Sequence, residues 1–92
     1  MGEKLSKLAS FLKEGRLKAG LSQKEVSEYL KYDTPQFVSN WERGIAAPPI
    51  SILKKLADLY KISSEKLFEV VLAEEIRLTE ENLRKKFKMS KA

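Results

Sequence analysis

The sequence predicts an all-α fold, and three observations carry that prediction. Prolines occur only at 35, 48 and 49 and glycines only at 2, 15, 20 and 44, so long stretches run without punctuation. Those stretches are rich in Leu, Lys, Glu and Ala, residues that lose little on entering a helix. β-Branched runs and apolar–polar alternation are scarce, which leaves little from which to build a sheet. Ninety-two residues are enough for one domain with a single modest core.

The elements follow in order. A first helix is expected over Glu3–Ala19, stopped by Gly20, with Leu5, Leu8, Ala9, Leu12 and Ala19 on one face. Gly15 falls on the same stripe at a cost of about 1 kcal/mol relative to Ala, and close helix approach is the use that would repay it. Ser22 and Glu25 form a capping box, S-x-x-E, that opens a second helix with Val26 and Leu30 inward and Ser27 small enough to meet a neighbour. Lys31-Tyr32-Asp33 reads as a turn, Thr34 as the next N-cap and Pro35 as the first helical residue. The third helix runs to about Arg43, is closed by Gly44, and turns Val38 and Trp41 to the core. Ala46-Ala47-Pro48-Pro49 is a rigid linker. Ile52, Leu53, Leu56, Ala57 and Tyr60 then mark a fourth helix. Ser63 caps a fifth that begins near Ser64 and carries Leu67, Phe68, Val71 and Leu72. Ile76, Leu83 and Phe87 continue the apolar spacing, either on that helix or on a sixth capped by Thr79.

Composition narrows the function classes. Cysteine and histidine are both absent, which removes disulfides, thiol nucleophiles, the usual zinc ligands and the usual general base near neutral pH. No carboxylate pair, phosphate loop or nucleophile with a base can be assembled, so no catalytic residue, metal or cofactor is expected. There is no run of about 18 apolar residues and no signal-peptide core, so a cytoplasmic protein without a membrane role is expected. The net charge is +5. Thirteen bases balance thirteen acids up to Leu83, and the excess is the tail of Arg84, Lys85, Lys86, Lys88 and Lys91. A basic patch on the body therefore has to be argued from positions.

Two short helices joined by a tight turn match the helix-turn-helix geometry, whose second helix enters the major groove of DNA. With Val38 and Trp41 inward, Gln36, Phe37, Ser39, Asn40 and Arg43 are left to the other faces. Gln and Asn can pair with adenine in bidentate fashion. Phe37 could touch a thymine methyl or fold back onto the core.

Leu21-Ser22-Gln23-Lys24-Glu25-Val26-Ser27 followed by Val38-Ser39-Asn40-Trp41-Glu42-Arg43-Gly44 resembles the Cro/phage-repressor-type helix-turn-helix family, also called the XRE family. Pro49-Ile50-Ser51-Ile52-Leu53-Lys54-Lys55-Leu56-Ala57 and Ile62-Ser63-Ser64-Glu65-Lys66-Leu67-Phe68 are similar to its fourth and fifth helices, and the likeness covers roughly residues 10–70. It implies a five-helix, lambda-repressor-like DNA-binding domain over residues 1–72, with 73–92 as a C-terminal helical extension and basic tail. It further implies a transcriptional regulator, activator or repressor, that reads double-stranded DNA as a homodimer on a pseudo-palindromic operator. By position, Gln36, Phe37, Ser39 and Asn40 would face bases, while Gln23, Lys24, Thr34 and Arg43 would meet phosphates. Arg16 and Glu42 would form a structural ion pair, and loss of one partner of a buried pair costs about 3–5 kcal/mol.

The chain departs from the family in three places. Gly15 stands where a larger apolar residue is usual, the turn at Tyr32-Asp33 is one residue longer, and Pro35 replaces a position where some relatives carry a polar reading side chain. The longer turn bears on the rotation of the reading helix. Val71, Leu72, Ile76, Leu83 and Phe87 form either local core or a dimer seam. An antitoxin or adaptor that uses this extension to hold a protein partner is the alternative reading.

Overall fold

The computed structural model describes Ser6 to Lys91. Five helices follow one another: α1 (Lys7–Lys18), α2 (Gln23–Tyr29), α3 (Gln36–Glu42), α4 (Leu53–Tyr60) and α5 (Ser64–Ser90), with a 3-10 turn at Ile50–Ile52 leading into α4. There is no strand among the described residues. The fold is the all-α, five-helix lambda-repressor type.

Hydroxyl oxygens start three of the helices. Ser6 accepts the Ala9 N–H at 2.9 Å, Ser22 that of Glu25 at 3.0 Å, and Ser63 that of Lys66 at 3.1 Å. Ser22 and Glu25 complete the capping box, because the Ser22 N–H donates to Glu25 Oε1 at 2.8 Å. Ser6 is extended, at φ −72° and ψ 152°, so α1 begins at Lys7 rather than at Glu3. Glu3 and Leu5 lie outside the described residues. Pro35 holds the cap position of α3 rather than its first turn, while Thr34 Oγ1 accepts the Gln36 N–H at 3.1 Å. Thr79 starts no sixth helix, since α5 runs through it unbroken.

Helix ends are closed by one device used four times. Gly20, Lys31, Gly44 and Lys61 take left-handed φ values of 74°, 68°, 76° and 59°. At each, two backbone N–H groups reach back to carbonyls of the last turn, as when Gly20 donates to Leu17 and Leu21 to Arg16. The same pairs recur as Lys31 to Glu28 with Tyr32 to Ser27, Gly44 to Trp41 with Ile45 to Asn40, and Lys61 to Asp58 with Ile62 to Ala57. This is the Schellman closure, and an apolar residue follows the left-handed one every time.

Every helix contributes to the core. Leu8 and Leu12 of α1 meet Val26 and Leu30, Val38 and Trp41, Leu56 and Tyr60, and Leu67 and Val71. Trp41 keeps 2% of its surface, so it is a core residue. Gly15 marks close approach of α1 to α4: a Cβ there would sit 3.2 Å from Tyr60 Cδ2. Burial also pushes the Tyr60 hydroxyl pKa well up from 10.0. Phe68 and Leu72 turn outward while Leu67 and Val71 turn in, so α5 packs only one face on the body.

The far half of α5 leaves the body. Glu74 is buried and Leu78 half-buried, and from Thr79 to Lys91 every residue is exposed. That gives the molecule a long axis of 48 Å against 25 and 24 Å.

Candidate nucleic-acid interface

α3 is held in place by a buried polar clamp. Arg16 Nε and Nη2 donate to Glu42 Oε2 and Oε1 at 2.7 and 2.9 Å, and Arg16 Nη1 donates to the Leu21 carbonyl at 2.8 Å. Gln23 Nε2 adds a third bond to Glu42, reaching Oε1 at 3.0 Å. One carboxylate therefore ties α1, the start of α2 and the end of α3 together. The hydrogen bonds to Glu42 raise the Arg16 pKa further above its already high value, so the guanidinium stays charged. The fork geometry gives two parallel charge-assisted bonds, which fix direction as well as distance.

The remaining face of α3 is set by subtraction. Val38, Trp41 and Glu42 are buried, so at about 3.6 residues per turn Gln36, Asn40 and Arg43 point most directly away. Ser39 and Phe37 border that face on either side. Gln36 Nε2 donates to Asn40 Oδ1 at 2.9 Å, which couples the two amides one turn apart. The pair still offers Gln36 Oε1 as an acceptor and the Asn40 amide N–H groups as donors, both of which a major-groove base edge can use.

Phe37 folds back only in part. Its ring stacks on Tyr32 at 4.8 Å, tilted by 35°, and Tyr32 in turn meets Trp41 edge-on at 6.0 Å. About half of Phe37 nevertheless stays exposed, at 53%. Tyr32 of the turn thus forms an aromatic support beneath one border of the polar face.

The other named residues flank this face. Lys24 is exposed in the first turn of α2, with Nζ 3.6 Å from Glu28 Oε2. A surface pair of that length holds a lysine only weakly. Thr34 and Arg43 are exposed at the two ends of α3, and Arg43 makes no ion pair among the described residues. Gln23 is half-buried with one amide N–H committed to Glu42, leaving the second for an external acceptor.

Two roles were not visible in the sequence. Tyr32 reads as a turn residue, yet it carries Phe37 and meets Trp41. Gln23 reads as a surface amide, yet it is the second donor to Glu42. Neither position has a local signal, because each contact is made across a turn or between helices.

A short helix capped by a box, a tight turn, and a second helix clamped from behind with a polar outer face define a helix-turn-helix domain. Residues 12–67 match the helix-turn-helix family profile. The chain belongs to the Cro/C1-type, or XRE, helix-turn-helix family. Over 60 residues, 65% of the chain, it is 42% identical to the HTH-type transcriptional regulator ImmR of Bacillus subtilis (strain 168). That match covers 46% of the relative, so the chain spans less than half the length of the curated protein it resembles. No helix among the described residues is long and apolar enough to cross a membrane.

Proposed function

We propose that the chain is a sequence-specific DNA-binding regulator of transcription that reads a two-fold symmetric operator as a homodimer, with α3 in the major groove. The observation that carries this reading is the outer face of α3. Its polar side chains have no partner in the core, while everything behind them is fixed by Trp41 and the Glu42 clamp. Gln36 and Asn40 read base edges as a coupled pair, Phe37 and Ser39 touch the bordering bases, and Lys24, Thr34, Arg43 and the free N–H of Gln23 meet phosphates. Residues 1–72 form the reading unit, and the remainder is an extension for association.

Selection of bound duplexes from a random pool tests this directly. The expected product is an inverted repeat whose half-sites lie about one helical turn, 34–36 Å, apart or a multiple of it. On that site, Asn40→Ala costs about 1–3 kcal/mol and relaxes the preference at one base pair. Arg43→Ala weakens binding to all sequences and flattens the salt slope by about 0.9. An unchanged affinity and preference in Asn40→Ala would put α3 in the wrong rotation.

A protein-interaction module, such as an antitoxin or adaptor, is the second reading. It is favoured by the exposed Ile76, Leu83 and Phe87 beyond the body. Recovery of no preferred duplex, together with a stable one-to-one complex with a neighbouring gene product, would move the weight to it.

A further inference from the structure

The far half of α5 has an apolar stripe that nothing among the described residues covers. Leu72, Ile76, Leu83 and Phe87 recur at helical spacing on one side, and the last three are 58%, 59% and 65% exposed. Glu75, Ile76, Thr79, Glu80, Leu83 and Arg84 line a shallow open depression at its middle. An isolated helix of this length is marginal in water, and most helical stability comes from packing an apolar face. Large apolar residues in a row at the end of a projecting helix mark an association surface.

The charges say what associates there. Between Glu69 and Glu81 the helix carries five glutamates and one arginine, whereas from Arg84 to Lys91 it carries five bases and no acid. The two signs are segregated along the axis. Parallel pairing of two such helices sets acid against acid and base against base. Antiparallel pairing sets the acidic half of each against the basic half of the other, and like-charge juxtaposition is what excludes the wrong arrangement.

We propose that the far half of α5 pairs antiparallel with the same segment of a second copy, about a two-fold axis near Thr79 and Glu80. This deepens the homodimer part of the function proposed above and rests on it. With the axis there, Ile76 lies across from Leu83 of the second copy and Leu72 across from Phe87. Glu75 and Lys86 border the stripe on the same side, so Glu75 of one chain meets Lys86 of the other. Neither residue makes an ion pair among the described residues. Glu69 and Lys91 stand in the same relation one level further out. The face toward the body is also open that far, because Phe68 and Leu72 are 41% and 39% exposed. The basic tail then neutralises the partner's acidic segment and is not left for the DNA backbone.

The sequence makes the test clean, because the chain has no cysteine. Leu72→Cys and Phe87→Cys full-length chains are mixed without DNA, oxidised, and resolved without reductant. The expected product is the mixed disulfide between the two variants, with neither variant linking to itself. Self-linking of Leu72→Cys would mean a parallel seam and overturn the proposal, as would a chain that is monomeric by sedimentation at operator-binding concentrations. Glu75→Lys, at an exposed position, should raise the dimer dissociation constant about tenfold, and adding Lys86→Glu should restore it. The two readings fail separately. A symmetric operator without the mixed disulfide leaves the regulator and removes this seam, whereas the disulfide without such an operator does the reverse.

Discussion

Glu42 keeps 3% of its side chain exposed and accepts bonds from Arg16 and from Gln23. A carboxylate taken out of water is stable only while such donors surround it. Arg16→Met keeps the bulk of the stem but removes two donors to Glu42 and one to the Leu21 carbonyl. It should therefore destabilise the protein by about 3–5 kcal/mol, read from the urea midpoint at constant slope. Adding Glu42→Leu should recover a large part of that loss, because a pair of apolar side chains can fill the volume of a buried ion pair at little net cost. Failure of the second substitution to help would show that the penalty lies in packing rather than in the stranded charge. The same pair bears on function. Glu42 sits one turn from Val38 and beside Trp41 on α3, so any slack in the clamp turns the outer face that carries the Gln36–Asn40 pair, which under the proposed function would move it off the base edges.

At the scale of elements, the helix ends show what the sequence carries and what it does not. Gly20 and Gly44 are legible as stops because glycine takes positive φ without steric penalty. Lys31 and Lys61 close their helices with the same bonds and the same left-handed backbone, yet a lysine announces nothing of the kind. Left-handed backbone costs a non-glycine residue roughly 1–2 kcal/mol. Lys31→Gly and Lys61→Gly should thus each stabilise the protein, by up to about 1 kcal/mol once the greater freedom of unfolded glycine is offset. Thermal unfolding of each single variant checks this, and a fall in midpoint would mean that the lysine stems contribute packing the backbone argument omits. The same contrast runs through the site. Caps at Ser22 and Ser63, the inward Val38 and Trp41, and the close approach at Gly15 are local or periodic, and they are readable. The sequence expects α1 from Glu3 because Glu3, Lys4 and Leu5 are ordinary helix formers, whereas Ser6 is extended and caps a helix that begins at Lys7. The stacking of Phe37 on Tyr32 and the bond from Gln23 to Glu42 depend on the angle between α2 and α3. No spacing in the chain encodes that angle.

The whole molecule joins a packed body to an exposed arm, and α5 belongs to both. Leu67 and Leu83 are the same residue type on the same helix, 0% and 59% exposed. Truncating a buried leucine removes transfer free energy and leaves a cavity, so Leu67→Ala should cost about 2–5 kcal/mol at any protein concentration. An exposed side chain loses little on truncation, so Leu83→Ala in dilute protein should stay within about 0.5 kcal/mol of the parent. Self-association changes that comparison by mass action. On the proposed seam a second copy binds the folded chain and not the unfolded one, so the melting temperature of the parent should rise with protein concentration. Leu83→Ala weakens the seam and should flatten that rise, while Leu67→Ala should lower the whole curve and keep its slope. Calorimetry of the three proteins across a wide concentration range, without DNA, separates the two effects. A parent whose melting temperature ignores concentration, or a Leu83→Ala protein already several kcal/mol weaker when dilute, would assign the arm to the body's own stability. The outcome also bears on the proposed function. If the proposed seam carries part of the folded-state stability and the operator is two-fold symmetric, the concentration at which the chain dimerises sets the concentration at which that operator fills.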